Sequence, residues 1–576
     1  MIRRLLPLLL AVAAILVGAG LASLVQRSGG VAVRQVTIPA PEGLKVSGLL
    51  YVPATATAAR PAPAILASHG YINTREMQSA VAIELARRGF VVLAMDMSGH
   101  GYSGGIVGTN GFGGPAALTW LRSQPFVDKA NVGLTGHSMG GGPILAAAAD
   151  QPDGYRAIVL VGSTPGLLGA KSPAAPRNVA VVFGGYDEFA PLMWQVPKGF
   201  DIVRSAKLMK LFGTSTPVAP ERIYGDVATG TARVLYVPAV THPGEHFSNA
   251  GVAPAIEWFQ ATLVGAASPK PSSDQVWVWK EIGTLVAFLG FVGLIVATFD
   301  LLLRTRAFAS LTQPGEAPSD RRDGRWWLAF VLTAAVPALT YFPLMKVGQL
   351  FFPMLAFPQW VQNQLLVWAL VNAGLAVVIG LLLRRPKPRF TTRWAASVGI
   401  ALATMAVAYL SLVLVDALFQ VDYRFWVLGM KPLSADRALI VIPYVLLWTA
   451  YFLVSLRALA GLAVRGDGLG THLATAMGAL ALGFLSLVIF QYAGLFGTGV
   501  LTIPSEPLNT IVAIQFVPLL AVVGLIAAYA WRRTNSYVPG ALICALLIAW
   551  YVSSGTATHR APGFKPELPG ASARAR

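Results

Sequence analysis

A serine framed by glycines, Gly136-His137-Ser138-Met139-Gly140, follows the apolar run 132–135 and precedes an alanine-rich stretch. The pattern is G-x-S-x-G, and its spacing suits nucleophilic catalysis. A sharp strand-to-helix turn would hold Ser138 in a strained conformation, with only small residues tolerated at 136 and 140. The following helix N-terminus would offer the Met139 N–H, with a favourable dipole, to a developing oxyanion. A second donor is expected at the end of the strand 64–68, where His69-Gly70-Tyr71 stands; the Tyr71 N–H is the candidate. Asp96-Met97-Ser98-Gly99-His100-Gly101-Tyr102-Ser103 follows the next strand. Asp96 and His100 are read there as a network that stabilises a loop rather than as catalytic groups.

These residues need elements to position them, and the pattern from 26 to about 274 supplies them. Short β-rich runs occur at 31–38, 46–52, 64–68, 90–95, 132–135, 157–161, 179–183 and 233–237, with helical stretches at 76–88, 114–123, 139–150 and 252–263. Such alternation predicts an α/β fold, a mostly parallel sheet with helices on both faces. With its three ordered motifs, the stretch 31–264 resembles the α/β-hydrolase superfamily, whose members often carry D-x-x-G-H-G-x-S at the position of Asp96.

The resemblance implies the order nucleophile, acid, histidine. Asp187, just past the strand 179–183, is then the acid, with Glu188 as its neighbouring fallback. His242, directly after the last strand, is the histidine, with His246 as the alternative. In that scheme His242 deprotonates Ser138 while Asp187 fixes the imidazole tautomer and stabilises its cation. His242-Pro243-Gly244-Glu245-His246 also fits H-x-x-E-H, a zinc-protease pattern that works on a helix. Pro243-Gly244 opposes a helix there, and neither metal nor cofactor is expected. The gap 162–178 is too short for a large helical cap. The longer stretch before the last strand includes 198–212, read as one basic amphipathic helix able to rest on a membrane or roof the site.

Composition sets the wider frame. Of 576 residues, 55% are hydrophobic and 12% charged, whereas a soluble domain carries about 25% charged residues. The net charge of +18 lies largely in loops between apolar runs, so a nucleic-acid partner is not expected. The single cysteine, Cys544, excludes an intrachain disulfide. A basic head (1–4) precedes an apolar run (5–25), read as an uncleaved signal anchor. A hydrolase domain (26–268) and a linker (269–281) lead into a membrane domain (282–553) of about eight further spans, then a tail (554–576). Basic loops at 304–325 and 384–393 place the N-terminus in the cytoplasm and the hydrolase domain outside. Arg560, Lys565, Arg574 and Arg576 in the tail are the exception. Asn372 and Gln491 are read as interhelical hydrogen-bonding groups.

The leading expectation is a multi-pass plasma-membrane serine hydrolase acting on an ester or lipid-like small molecule, with membrane lipids as its surroundings. A peptidase, amidase or acyltransferase could use the same residues. A transporter or lipid-handling protein with a regulatory hydrolase-like domain is the rival from another class. Acyl group, leaving group and oligomeric state are not legible.

Overall fold

The computed structural model describes residues 2–351, 353–383, 390 and 392–562. Most of the basic loop 384–393, and Lys565, Arg574 and Arg576 of the tail, lie outside the described residues. The chain forms two compact units. Among the described residues, one comprises 21–282, 492–507 and 555–562; the other comprises those within 2–20, 283–491 and 508–554.

The first unit is built on an eight-stranded sheet. The strands are β1 (Val31–Pro39), β2 (Lys45–Pro53), β3 (Ala62–Ser68), β4 (Val91–Met95), β5 (Val127–His137), β6 (Ala157–Val161), β7 (Val179–Val182) and β8 (Arg233–Tyr236). Their spatial order is β1-β2-β4-β3-β5-β6-β7-β8. β2 pairs antiparallel with β1 and β4, and from β4 to β8 every pairing is parallel. Side chains alternate across the strands, so each face takes its own apolar set. Leu66, Leu93, Leu134, Leu160 and Val181 pack with Leu118, Leu121, Ile144 and Leu145 of the helices Gly114–Ser123 and Gly141–Asp150. Ile65, Val92, Val159 and Ala180 pack on the opposite face with Leu85, Ile256 and Phe259, of Ser79–Ala86 and Asn249–Thr262. Each large apolar side chain contributes roughly 1.5–3 kcal/mol of burial. A parallel sheet gathers its carboxyl ends on one edge, and the loops after β3, β4, β5, β7 and β8 all emerge there.

The stretch 198–212 is not the single helix expected. A 3₁₀ segment, Gly199–Arg204, and a short helix, Ala206–Phe212, meet at Ser205, whose ψ of 123° breaks the helical path. The Ser205 hydroxyl caps the second piece by accepting from Leu208 N at 3.3 Å. Ile202, Leu208 and Phe212 turn into the core, and the Lys207 ammonium donates to the Met193 carbonyl at 3.3 Å. Lys207 is therefore partly engaged by the domain itself, whereas Lys210 is exposed.

The second unit consists of long apolar helices. Among the described residues, eight are long and apolar enough to cross a membrane: Arg4–Gln26, Trp277–Leu302, Trp360–Leu382, Trp394–Phe419, Ala435–Ala460, Leu469–Thr498, Pro507–Thr534 and Val538–Gly555. The span expected over 326–345 is instead two helices, Gly324–Leu339 and Tyr341–Gly348, bent by 43°. Pro337 and Pro343 each remove a backbone donor around the break, and the Thr340 hydroxyl donates to the Val336 carbonyl at 2.8 Å; proline is the usual cause of such a kink. The first two helices cross on small residues: a Cβ at Gly18 would lie 2.5 Å from Ala287 N, and one at Gly290 would lie 2.8 Å from Ala11 O, a packing mode common in membranes. Gln491 donates to the Thr510 hydroxyl at 2.7 Å and Asn372 to that of Thr340 at 3.0 Å, the interhelical roles expected of them.

Candidate active site

Ser138 sits between β5 and the helix Gly141–Asp150 with φ of 54°. This left-handed conformation is costly for a side chain-bearing residue, and neighbouring close contacts hold it in place. A Cβ at Gly136 would come within 2.1 Å of the Gly140 carbonyl oxygen, and one at Gly140 within 2.4 Å of that of Ser68. Both flanking positions therefore need glycine. The loop after β3 runs beside the serine, since a Cβ on Gly70 would lie 3.1 Å from Ser138 Cβ. His69 stiffens that loop: its Nε2 accepts from Met97 N at 3.1 Å and its Nδ1–H donates to the Gly70 carbonyl at 2.7 Å. Tyr71 follows immediately, its hydroxyl 3.2 Å from His559 Nε2.

Asp96 and His100 act as the loop network expected. The fully buried Asp96 carboxylate accepts from Arg75 N at 2.9 Å and Tyr102 N at 3.1 Å. His100 Nδ1 stands 3.1 Å from the Ser98 carbonyl.

The acid and histidine loops are laced together beyond the sheet. Gly185 N donates to the Pro238 carbonyl at 2.8 Å and Tyr186 N to that of Val240 at 3.0 Å. This brings Asp187 Oδ2 to 2.8 Å from His242 Nδ1, both residues being buried. Asp187 Oδ1 accepts from Phe189 N at 2.6 Å. Burial opposes a charged imidazole, but the Asp187 charge and hydrogen bond outweigh it and raise the His242 pKa above 6.5. The bond also sets the tautomer, with the proton on Nδ1 and the lone pair on Nε2. Among the described residues no hydrogen bond joins Ser138 to His242, so the structure brings Asp187 and His242 together and leaves Ser138 outside that pair.

Glu188 does not compete with Asp187 for the ring. Its Oε2 accepts from the His242 backbone N–H at 2.7 Å. Burial, and then the Asp187 charge, push its carboxyl up to about 7. His246 packs edge-on against His137 at 4.0 Å, while the contact to Asp187 belongs to His242.

Two members of the cluster were not singled out from sequence for these roles, His137 and Glu245. His137 Nε2–H donates to the His242 carbonyl at 3.1 Å, and burial followed by His246 and His242 holds this ring well below 6.5, hence neutral. Glu245 Oε1 accepts from Gly184 N at 2.5 Å, and Oε2 lies 3.7 Å from His242 Nδ1. Burial, and then the Asp187 charge, raise Glu245 well above the usual carboxylate range, a shift that favours its neutral form beside Asp187. Glu245→Gln is therefore expected to keep activity within about threefold. Glu245→Ala, leaving Gly184 N without its buried acceptor, should cost about 1–3 kcal/mol in thermal or denaturant unfolding. Equal activity losses in both variants would argue instead for a charged Glu245.

The segment Pro243–Glu245 is a 3₁₀ turn rather than an α-helix, so the helical H-x-x-E-H arrangement does not form. His137, His242 and Glu245 each present one ligand atom within 4.8 Å of the others and could in principle hold a metal ion. A metal taking His242 through Nδ1, 3.7 Å from Glu245 Oε2, would displace its bond to Asp187.

An antiparallel β2, a crossed β4–β3 pair and a sharp turn after β5 now stand on one sheet beside a buried acid–histidine pair. The domain is an α/β-hydrolase fold. The family model "X-Pro dipeptidyl-peptidase (S15 family)" matches residues 42–168 of the chain, a stretch of the hydrolase fold that holds Ser138 but neither Asp187 nor His242. Two uncharacterised proteins of Mycobacterium tuberculosis, from strains CDC 1551 and H37Rv, are each 30% identical over 121 residues. Those matches cover 21% of this chain and 42% of the relatives' own length. Among solved structures, a dienelactone hydrolase from Anabaena variabilis is similar at 22% identity and a TM-score of 0.29, over 41% of this chain and 99% of that one. A bacterial heroin esterase gives 17% and 0.30, over 45% and 91%. An esterase of Pyrococcus furiosus gives 16% and 0.31, over 41% and 93%.

Proposed function

We propose that the chain is a membrane-anchored serine hydrolase that cleaves a carboxylic ester through an acyl-enzyme. The observation that carries this reading is the buried Asp187–His242 bond of 2.8 Å on the same sheet edge as a serine held at positive φ. In the reaction, Ser138 Oγ attacks the acyl carbon and His242 Nε2 takes its proton. The oxyanion is received by the Met139 and Tyr71 N–H groups. The leaving alcohol departs with the proton from His242, and water then repeats the sequence to release the acid. Asp187 stabilises the imidazolium formed at each stage. Tyr186, Phe200 and Phe496 form an aromatic cluster beside the acid loop, with centroids 5.2–5.3 Å apart and both phenylalanines exposed. This supports an apolar or lipid-like substrate.

The S15 match favours a second reading, a peptidase using the same residues. A matched panel of short esters, lipid esters and amides, turned over by the full chain in detergent, separates the two. Ester turnover with amides at least tenfold slower is expected; preference for a proline-containing amide would establish the peptidase reading.

We further infer that the hydrolase unit lies outside the cytoplasm. Thr558 N donates to the Gly99 carbonyl at 2.9 Å, and Val107 N to that of Thr558 at 3.0 Å. Tyr492 likewise reaches Glu188. On this reading the domain up to 276 and the loops 499–506 and 556–562 share one side of the membrane, which needs an even number of crossings between the first two. Among the described residues, counting the bent helix pair as one span gives six and omitting it gives five, which supports its crossing once. In a background with Cys544 replaced, Lys129→Cys should react with an impermeant maleimide in intact cells and Arg393→Cys only after lysis. The reverse pattern would overturn the orientation.

A further inference from the structure

The stretch 492–507 begins with the last turns of the long apolar helix Leu469–Thr498, yet it belongs to the hydrolase unit. Its first residue carries a hydroxyl to the acid loop: Tyr492 Oη donates to Glu188 Oε1 at 2.6 Å. The other oxygen of the same carboxylate accepts from the His242 backbone N–H at 2.7 Å. Glu188 is 5% exposed, so this carboxylate is a nearly dry bridge with one oxygen on each partner. One turn further on, Phe496 stacks edge-on against Tyr186 at 5.3 Å, immediately before Asp187 and Glu188. A Cβ at Gly499 would lie 2.8 Å from the Lys198 side chain, so the segment is closely fitted along its length.

The consequence follows from which atoms are held. Asp187 orients the His242 ring through Nδ1, but nothing in that bond fixes the main chain from which the ring projects. Glu188 does so, because His242 N cannot move without losing its acceptor. Glu188 in turn has several rotatable bonds between its backbone and its carboxylate, and Tyr492 is the donor that selects one orientation. A free carboxylate rotates, whereas one held at both oxygens does not; preorganisation of this kind is where distant residues influence a reaction.

We propose that Tyr492 is a positioning residue of the hydrolase site, acting through Glu188 to fix the backbone of His242. The proposal rests on His242 being the general base, as argued above. It makes the end of an apolar helix part of the apparatus that aims the base at Ser138.

The test is a double-mutant cycle on the full chain in detergent, since coupled residues give non-additive losses. Tyr492→Phe removes one oxygen and keeps the ring, so the unfolding midpoint should stay within about 2 °C while kcat falls about 5–20-fold at nearly constant KM. Glu188→Ala should lose at least as much, and Tyr492→Phe with Glu188→Ala should lose no more than Glu188→Ala alone. Glu188→Gln, which keeps an acceptor for His242 N, should recover most of the rate. Additive losses, or a Tyr492→Phe enzyme with the wild-type kcat, would overturn the proposal. A separate readout is the downfield proton resonance of His242 Nδ1–H on Asp187, which should broaden or shift in Tyr492→Phe. If the wild-type chain is inert to esters and to fluorophosphonate, the hydrolase reading fails, while this resonance still decides whether Tyr492 controls the geometry at His242. An unchanged resonance rejects that control whatever the activity.

Discussion

Ser138→Ala is expected to abolish both ester turnover and covalent labelling by a fluorophosphonate, with kcat falling by on the order of 10⁴–10⁶. The reagent reports the nucleophile directly: Oγ forms a bond to phosphorus, fluoride leaves and the hydroxyl proton passes to His242. Wild-type protein should label once per chain. The alanine chain should fold normally, because the positive φ at this position is imposed by the close approach of Gly140 to Gly136 and alanine suffers there no more than serine. Unfolding midpoints of the two proteins should therefore agree. Labelling that survives in the alanine variant would move the nucleophile elsewhere and remove the basis of the proposed function.

The second large effect belongs to the acid. Asp187→Asn preserves shape and can still accept from Phe189 N, but it presents an amide N–H₂ to His242 Nδ1. The imidazole must then turn its lone pair toward that amide and carry its proton on Nε2, where a base is needed. A tautomer reversal of this kind costs about 10⁴ in kcat. The substitution also removes the charge that lifts the His242 pKa against burial, so the residual activity should lose its acid limb or show it at lower pH. On the proposed mechanism the neutral ring is the active form, and kcat/KM of the unmutated chain should rise with pH through an apparent pKa above 6.5. Retention of more than about a tenth of the wild-type kcat, against the loss expected of a broken triad, would redirect attention to Glu245, whose Oε2 lies 3.7 Å from the same nitrogen. Glu188 is not a substitute, since it is bonded to the backbone of His242 rather than to its ring.

The sheet was legible because each of its strands is a short apolar run flanked by turn residues, and all eight expected runs form strands. The turn at Ser138 was legible because its requirement is local: two glycines and a strand-to-helix junction within five residues. Asp187 and His242 were reached through the order implied by a family resemblance, and geometry then joined them. What could not be read shares one property, separation along the chain. No periodicity in 472–496 indicates that Tyr492 meets a carboxylate some three hundred residues earlier, and nothing near His559 points to Tyr71. Glu245 was visible only as part of a zinc pattern; its contact with Gly184 N depends on how two loops close over the sheet edge. The break at Ser205 was missed because helical periodicity continues through it while the backbone does not.

The chain order of the hydrolase unit has a consequence for biosynthesis. The sheet, with Ser138, Asp187 and His242, is complete in sequence by Thr262, so a translating ribosome releases every strand early. Tyr492, which holds Glu188, and His559, which meets Tyr71, emerge only after the intervening apolar helices. At ~5–20 residues per second that interval is roughly 12–46 s for Tyr492 and roughly 15–60 s for His559. During it the sheet can assemble with Glu188 lacking its tyrosine donor and the Tyr71 loop lacking its histidine neighbour. On the proposed roles, full activity then awaits delivery of the last helices, so a chain stalled or cut within its apolar half would be a folded but poorly aligned hydrolase.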